Sequence, residues 1–300
     1  MSHTLTIIRR VLDSEAGRRT PVRVVARLVV WQLWRRALRS PMTFRTVTGS
    51  RLRLLPGASD SLSGFWYQQL PDFEELAFAL HVLRPGDLFV DVGANQGGWS
   101  LVAAGHGARV IAFEPVPLTR ERLLANLASN PAEVASRVTV QPVGLSDGDG
   151  TVEFTADLDA GNHRLRSAGS AGTPTVRVEL ARADERLRGL DPTLMKIDVE
   201  GEELGVLRGA RDILSRPSLQ AVIMETFRPS NHDNPDLVSC ERVLASHGFL
   251  PMAYDPRTRD LDPLRAPADG SQNTIYVRDP GALAARLRAA PAVCALGGRI

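Results

Sequence analysis

An apolar run that ends on an acid, turns through small residues and re-emerges as a helix constrains this chain more than any other stretch. It reads Leu88-Phe-Val-Asp-Val-Gly-Ala-Asn-Gln-Gly-Gly-Trp-Ser100 and is followed by Arg109-Val-Ile-Ala-Phe-Glu-Pro115. The β-branched run closing on Asp91 predicts a strand, Gly93, Ala94, Gly97 and Gly98 a tight turn, and Trp99 to Ala104 a helix start. A second apolar strand ends in Glu114, and Pro115 prevents regular pairing beyond it. The two acids are 114 − 91 = 23 positions apart, at the carboxyl ends of neighbouring strands. In an open parallel sheet the binding crevice lies there, and an acid about 20 residues past the glycine loop takes the ribose hydroxyls of a nucleoside. Glu114 is that acid. Gly93 and Gly97 let the backbone come close to the ligand, because a Cβ would fill the space it needs.

The loop is not a dinucleotide fingerprint. Asn95 stands where the second glycine of G-x-G-x-x-G would approach a pyrophosphate, which counts against NAD. Asp91-Val-Gly-Ala-Asn-Gln-Gly resembles instead the first motif of class I methyltransferases, and its wording is most similar to that of the FkbM family. A methionyl ligand brings an ammonium and a carboxylate, for which Asp91 and the loop amides are suitable partners.

A second motif lies about 100 residues on: Leu194-Met-Lys-Ile-Asp-Val-Glu-Gly-Glu-Glu-Leu204. Met195, Ile197 and Val199 alternate with Lys196, Asp198 and Glu200, so the three charges share one face if the strand stays extended that far. Buried strands rarely carry such a cluster without partners, a ligand or a metal. Lys-Ile-Asp-Val-Glu-Gly-x-Glu is also similar to an FkbM signature, and the resemblance covers roughly residues 40 to 278. It implies a doubly wound, Rossmann-like α/β sheet of the class I methyltransferase type, mostly parallel with an antiparallel last strand. It also implies S-adenosyl-L-methionine as cofactor and O-methylation of a hydroxylated small molecule or glycan: a sugar, a glycolipid or a polyketide-type metabolite.

The cofactor set expected on these motifs is Asp91, Gly93, Asn95, Gly97, Glu114, Ser146, Asp147 and Asp198. Val138 to Val143 reads as a third strand with Gly144-Leu-Ser-Asp147 at its end. In the resembled enzymes that position meets the adenine edge, although Ser-Asp-Gly-Asp-Gly is also an ordinary turn. Removal of the acceptor proton needs a base or a metal. Asp198 is the first choice, with Glu200, Glu225 and His163 behind it. A divalent ion between Asp198 and Glu225 is allowed but not expected, since Lys196 on the same face can neutralise the cluster. His163 lies in a polar, glycine-rich loop from Asp157 to Gly172, between strands expected at Thr151–Thr155 and Thr175–Glu179.

Elsewhere the pattern predicts a hairpin over residues 43–57, helices over Leu70–Leu83, Leu118–Asn130 and Asp236–His247, one helix from Gly201 through Leu214, a fifth strand Ala221–Glu225, and a closing pair, Phe249–Tyr254 and Asn273–Arg278. The expected division is residues 1–57 as a basic helix and hairpin, 58–280 as the methyltransferase domain and 281–300 as a tail. Charge is uneven. The first fifty residues hold ten arginines against Asp13 and Glu15, a balance of 10 − 2 = +8 within a total of +2. Val22 to Leu38 reads as a basic amphipathic helix with two tryptophans, suited to docking on the domain or to a peripheral membrane contact through residues 22–39. Its apolar run is too short to span a bilayer, and residues 5–12, broken by Arg9 and Arg10, do not read as a signal peptide. Two cysteines, Cys240 and Cys294, without C-x-x-C or zinc spacing, point to a reducing cytoplasm. The chain beyond the N-terminal arm is net acidic, which disfavours nucleic acid as substrate. Two other classes stay open at this stage: an NAD-dependent oxidoreductase sharing the first half of the fold, and a membrane-associated binding protein with a degenerate cofactor site.

Overall fold

Alternation of side chains across buried strands sets the architecture. The computed structural model describes residues 9, 11–56, 62–155, 175–199, 201–226, 235–264, 273–296 and 298–300. After helix α1 (Pro21–Ala37) come a hairpin, β1 (Met42–Arg45) and β2 (Arg51–Leu54), and helix α2 (Phe73–Val82). Then β3 (Leu88–Val92), α3 (Gly98–His106), β4 (Arg109–Phe113), α4 (Pro117–Ala128) and β5 (Val138–Gln141) follow as alternating units. A small sheet is made by β6 (Gly144–Ser146), β7 (Gly150–Thr155) and β8 (Thr175–Arg182). The second half contains β9 (Pro192–Ile197), α5 (Glu203–Arg208), β10 (Ala221–Glu225), α6 (Pro235–Ser246), β11 (Leu250–Asp255), β12 (Asp260–Pro263), β13 (Asn273–Val277) and α7 (Pro280–Arg288).

The main sheet runs β12-β11-β13-β10-β9-β3-β4-β5. From β10 to β5 every neighbour is parallel, while β13 is inserted antiparallel between β10 and β11. This is the doubly wound Rossmann-like α/β sheet expected, with the antiparallel strand in place. Strands β3 and β9 are buried along their whole length, as parallel strands covered on both faces must be. Phe89, Leu194, Ile223 and Ile275 pack into one layer with α2, α3 and α7. Val90, Met195, Val222 and Tyr276 pack into the opposite layer with α5 and α6. Asp91 and Lys196 fall on the first of these faces and are register partners.

Three local expectations change. The third strand stops at Gln141, because Pro142 removes a ladder donor, and Gly144–Ser146 crosses into the small sheet, parallel to β8. The helix expected from Gly201 through Leu214 is two short helices, α5 and Arg211–Ser215. They part at Gly209, where a Cβ would collide with the Ser146 carbonyl oxygen. The segment past Gly281 is not a bare tail: α7, capped by Asp279 Oδ1 accepting from the Ala282 amide (2.9 Å), buries Leu283 and Leu287 in the layer that α2 occupies.

Inside that layer His81 of α2 is fully buried and shares a 2.6 Å hydrogen bond through Nδ1 with Tyr254 Oη of β11. Burial, with the nearby Arg259 charge, pushes its pKa down to about 4. The unfolded chain therefore protonates this site below about 6.5 while the folded chain does not, and the contribution to stability is lost as pH falls from there toward 4. Glu114, raised by burial to about 7, acts with the opposite sign over much of the same range, so the two are separated by difference. His81→Phe should gain melting temperature relative to the parent chain as pH falls from 7 to 5, the gap between the two profiles widening toward pH 5 in thermal denaturation. Parallel profiles would place the titrating group elsewhere.

Candidate active site

The site is built where β3 and β9 end side by side. Asp91, with no exposed surface, accepts from the Ser100 hydroxyl at 2.6 Å through Oδ2, and its Oδ1 is buried without a partner. Across the strand pair the Lys196 ammonium, 3% exposed, lies 2.7 Å from Asp198 Oδ2 and 5.5 Å from the centre of the Trp99 ring. Burial alone would depress the Lys196 pKa, but the charges of Asp198 and Asp91, with Asp72 beyond them, hold it above its ordinary value. Burial likewise pushes the Asp91 carboxyl up, against the pull of Lys196 and Ser100. The Asp198 side chain is 38% exposed. It is the member of the group that meets solvent.

Strand β9 ends at Ile197, and the Asp198 amide donates to Val92 O at 3.0 Å. Lys196 and Asp198 therefore meet through one ion pair instead of continuing an extended face. Glu200 lies outside the described residues, as does His163. Met224 pairs with Ile197, so Glu225 ends β10 one level further along, beside the position of Asp198. Among the described residues no three acidic, histidine or cysteine side chains converge to hold a metal ion.

The loop after β3 turns on three left-handed residues, Gly93 (φ 80°), Asn95 (φ 51°) and Gly97 (φ 86°). Asn tolerates this conformation better than most side chains, and Asn95 Oδ1 accepts from the Gln96 amide at 2.8 Å. The reason for glycine at 93 differs from the one expected. Its missing Cβ would strike the Asp198 carbonyl oxygen, so it is the second motif that comes close. At Gly97 the neighbour is Leu123 Cγ, 3.2 Å from a built Cβ. Glu114, 6% exposed, clamps the loop from β4: Oε2 accepts from the Asn95 amide and Oε1 from the Val116 amide, both at 2.9 Å. Its rise to about 7 is a burial effect that these two amides only partly oppose.

Ser146 is buried and donates to Glu202 Oε1 at 2.6 Å, whereas Asp147 is exposed. Burial also raises the Glu202 carboxyl. Sequence reasoning missed Ser100, Trp99, Glu202 and Asp72. Ser100 was findable, because it is the first helical hydroxyl after the glycine turn. Asp72, in a left-handed conformation (φ 49°) before α2, offered no local signal.

With this geometry in hand, comparison with known proteins decides the family. A model described as the methyltransferase FkbM domain matches residues 91–251. The chain belongs to the FkbM methyltransferase family. The hexuronic acid methyltransferase AglP of Haloferax volcanii is 33% identical over 216 residues, covering 69% of this chain and 83% of that protein. The 31-O-demethyl-FK506 methyltransferase FkbM of Streptomyces tacrolimicus is 30% identical over 230 residues, covering 64% and 84%. Among solved structures, an FkbM methyltransferase from Methylobacillus flagellatus aligns with a TM-score of 0.43 at 19% identity, over 74% of this chain and 56% of that one. Membership sets aside the oxidoreductase reading, for which neither Asn95 nor the Lys196–Glu203 motif had an explanation.

Within an FkbM enzyme, Gly93 is then a joint between both signatures. Gly49 has a similar φ (83°) with open space around it, so Gly49→Ala carries the backbone cost alone, about 1 kcal/mol. Gly93→Ala adds a backbone collision and should lower the urea midpoint well beyond that, while also weakening cofactor binding. Equal midpoints for the two variants would remove the joint.

Proposed function

We propose that this FkbM-family enzyme transfers a methyl group from S-adenosylmethionine to a hydroxyl of a sugar or polyketide-type acceptor. The observation that carries the reading is the buried Asp91 carboxylate, which has one oxygen unpaired at the crevice end of the central strand. A buried acceptor left alone costs on the order of 1 to 3 kcal/mol, and a cationic donor such as the methionyl ammonium completes it. The N-terminus of α3 suits the methionyl carboxylate. Glu114 retains lone pairs for two ribose hydroxyls while holding the loop, and Asn95 and Gly97 shape the turn around them. Ser146 and Glu202 lie on the side assigned to adenine. When bound, the cofactor would supply an electrophilic methyl on a sulfonium, its C–S bond breaking as the methyl leaves so that the neutral thioether S-adenosylhomocysteine is released.

Asp198 orients the acceptor. Lys196 fixes Oδ2, and Oδ1 is left for the hydroxyl, which donates its proton there as the new C–O bond forms. The proton passes to solvent through this partly exposed side chain. Lys196 offsets one of the two charges of Asp91 and Asp198, so the group keeps a single negative charge that complements the net positive charge of a sulfonium amino acid. The acceptor class follows what the names of AglP and of the FK506 enzyme say of those proteins.

Calorimetric titration with S-adenosylhomocysteine tests the cofactor. Micromolar binding is expected, and its absence alongside NADH binding would sink the proposal. Asp198→Asn should reduce turnover on hexuronides or hydroxylated macrolides by roughly a hundred- to ten-thousandfold with little change in homocysteine-product affinity. Retained turnover would reject its role. Ribose hydroxyls stabilise ionised Glu114, so affinity should fall as pH drops below about 7, toward tenfold per unit. Glu114→Gln should bind more weakly at pH 8 and lose that slope down to pH 5.5. An unchanged slope would mean another group titrates.

A further inference from the structure

Helix α1 is apolar on two sides. One side docks: Val24, Leu28 and Trp31 are buried, Trp31 in the main core. The other side faces outward, with Val22, Leu33, Val29 and Val30 exposed by 81, 61, 49 and 46% and the exposed Ala26 and Ala37 between them. At 3.6 residues per turn these six form one stripe roughly 100° wide and about 22 Å long. Arg23 and Arg36 border it on opposite edges, and exposed Leu38 and Arg39 follow its end. The tryptophans are not part of this face, since Trp31 is buried and Trp34 Nε1 donates to Ser40 O at 3.0 Å.

Scattered exposed apolar residues are ordinary, but a continuous stripe marks a contact surface. Charge selects its occupant. The first fifty residues carry a balance of +8, and of their two acids Glu15 is already paired with Arg19 (2.6 Å) and Arg257. Two copies packed stripe to stripe would bring like charges together. An anionic lipid surface complements them, taking the apolar side chains at the acyl boundary and the guanidinium groups at phosphates. Among the described residues no helix is long and apolar enough to cross a membrane. We propose that α1 lies in the plane of an anionic membrane surface, with Val22, Val29, Val30 and Leu33 inserted and Arg23, Arg36 and Arg39 on lipid phosphates.

The test is co-sedimentation of the full chain with vesicles of phosphatidylcholine alone or mixed with phosphatidylglycerol. Binding to the mixed vesicles, weakened by salt, is expected. The double variant Val29→Glu plus Leu33→Glu should lose roughly tenfold or more of that affinity, with an unchanged melting temperature because both residues face outward. Failure of the parent chain to bind mixed vesicles at low salt, absence of preference for them, or equal binding by the double variant would overturn the proposal. A dimer that the same pair of substitutions dissolves, without vesicle binding, would assign the stripe to a second copy instead.

Discussion

The structure turns on one crossing, where the glycine loop after β3 lies against the end of β9. Gly93 has no Cβ because the Asp198 carbonyl oxygen occupies that space, and the Asp198 amide bonds back to Val92 O. These contacts bring Asp91, Lys196 and Asp198 into one group. A lysine buried at this depth is tolerable only with carboxylates beside it, and the carboxylates are tolerable for the same reason. The two family signatures, about 100 residues apart in sequence, are thus two halves of a single electrostatic unit. Separating them would leave a buried ammonium and a buried carboxylate each without compensation.

Glu114 illustrates how the loop is stabilised at a cost to the acid itself. Taking the Asn95 and Val116 amides satisfies one backbone donor in the left-handed turn and one at the entry to α4, yet burial raises the carboxyl to about 7. A ligand that adds hydroxyl donors favours the ionised form. On the proposed function the same carboxylate is both a structural brace and a binding group, so its protonation would link loop order to ligand affinity near neutral pH.

Continuous apolar runs closing on acids made the parallel strands legible, because strands buried on both faces leave such a record, while the antiparallel last strand was implied by the family resemblance. Asp91, Glu114 and Asp198 were legible for the same reason: a charge at the end of such a run has few places to go. What escaped depends on partners distant in sequence. The Ser146–Glu202 bond joins residues 56 positions apart, and the break at Gly209 is set by β6 passing overhead. Neither leaves a local trace. The role of Gly93 was assigned to the ligand because sequence shows that a Cβ is forbidden without showing what forbids it. For α1 the helix was visible, but its apolar positions read as one face; only packing separates Val24, Leu28 and Trp31 from Val22, Val29, Val30 and Leu33.

That separation matters because the inner face of α1 leads to the glycine loop through few contacts. Trp66 Nε1 donates to Arg27 O at 2.9 Å, and the Arg27 guanidinium stacks 4.2 Å from the Trp66 ring. The adjacent Phe65 closes on Gly98, where a Cβ would sit 2.5 Å from its ring, with Leu62 at 3.0 Å. Gly98 is the first residue of α3, immediately after the turn that Glu114 braces. A shift of α1 cannot be absorbed by empty space along this path, since close-packed aromatic side chains transmit displacement instead of damping it. The outward stripe therefore lies on an element two packing contacts from the loop, and the N-terminal extension is packed into the same core as the strands that carry the site.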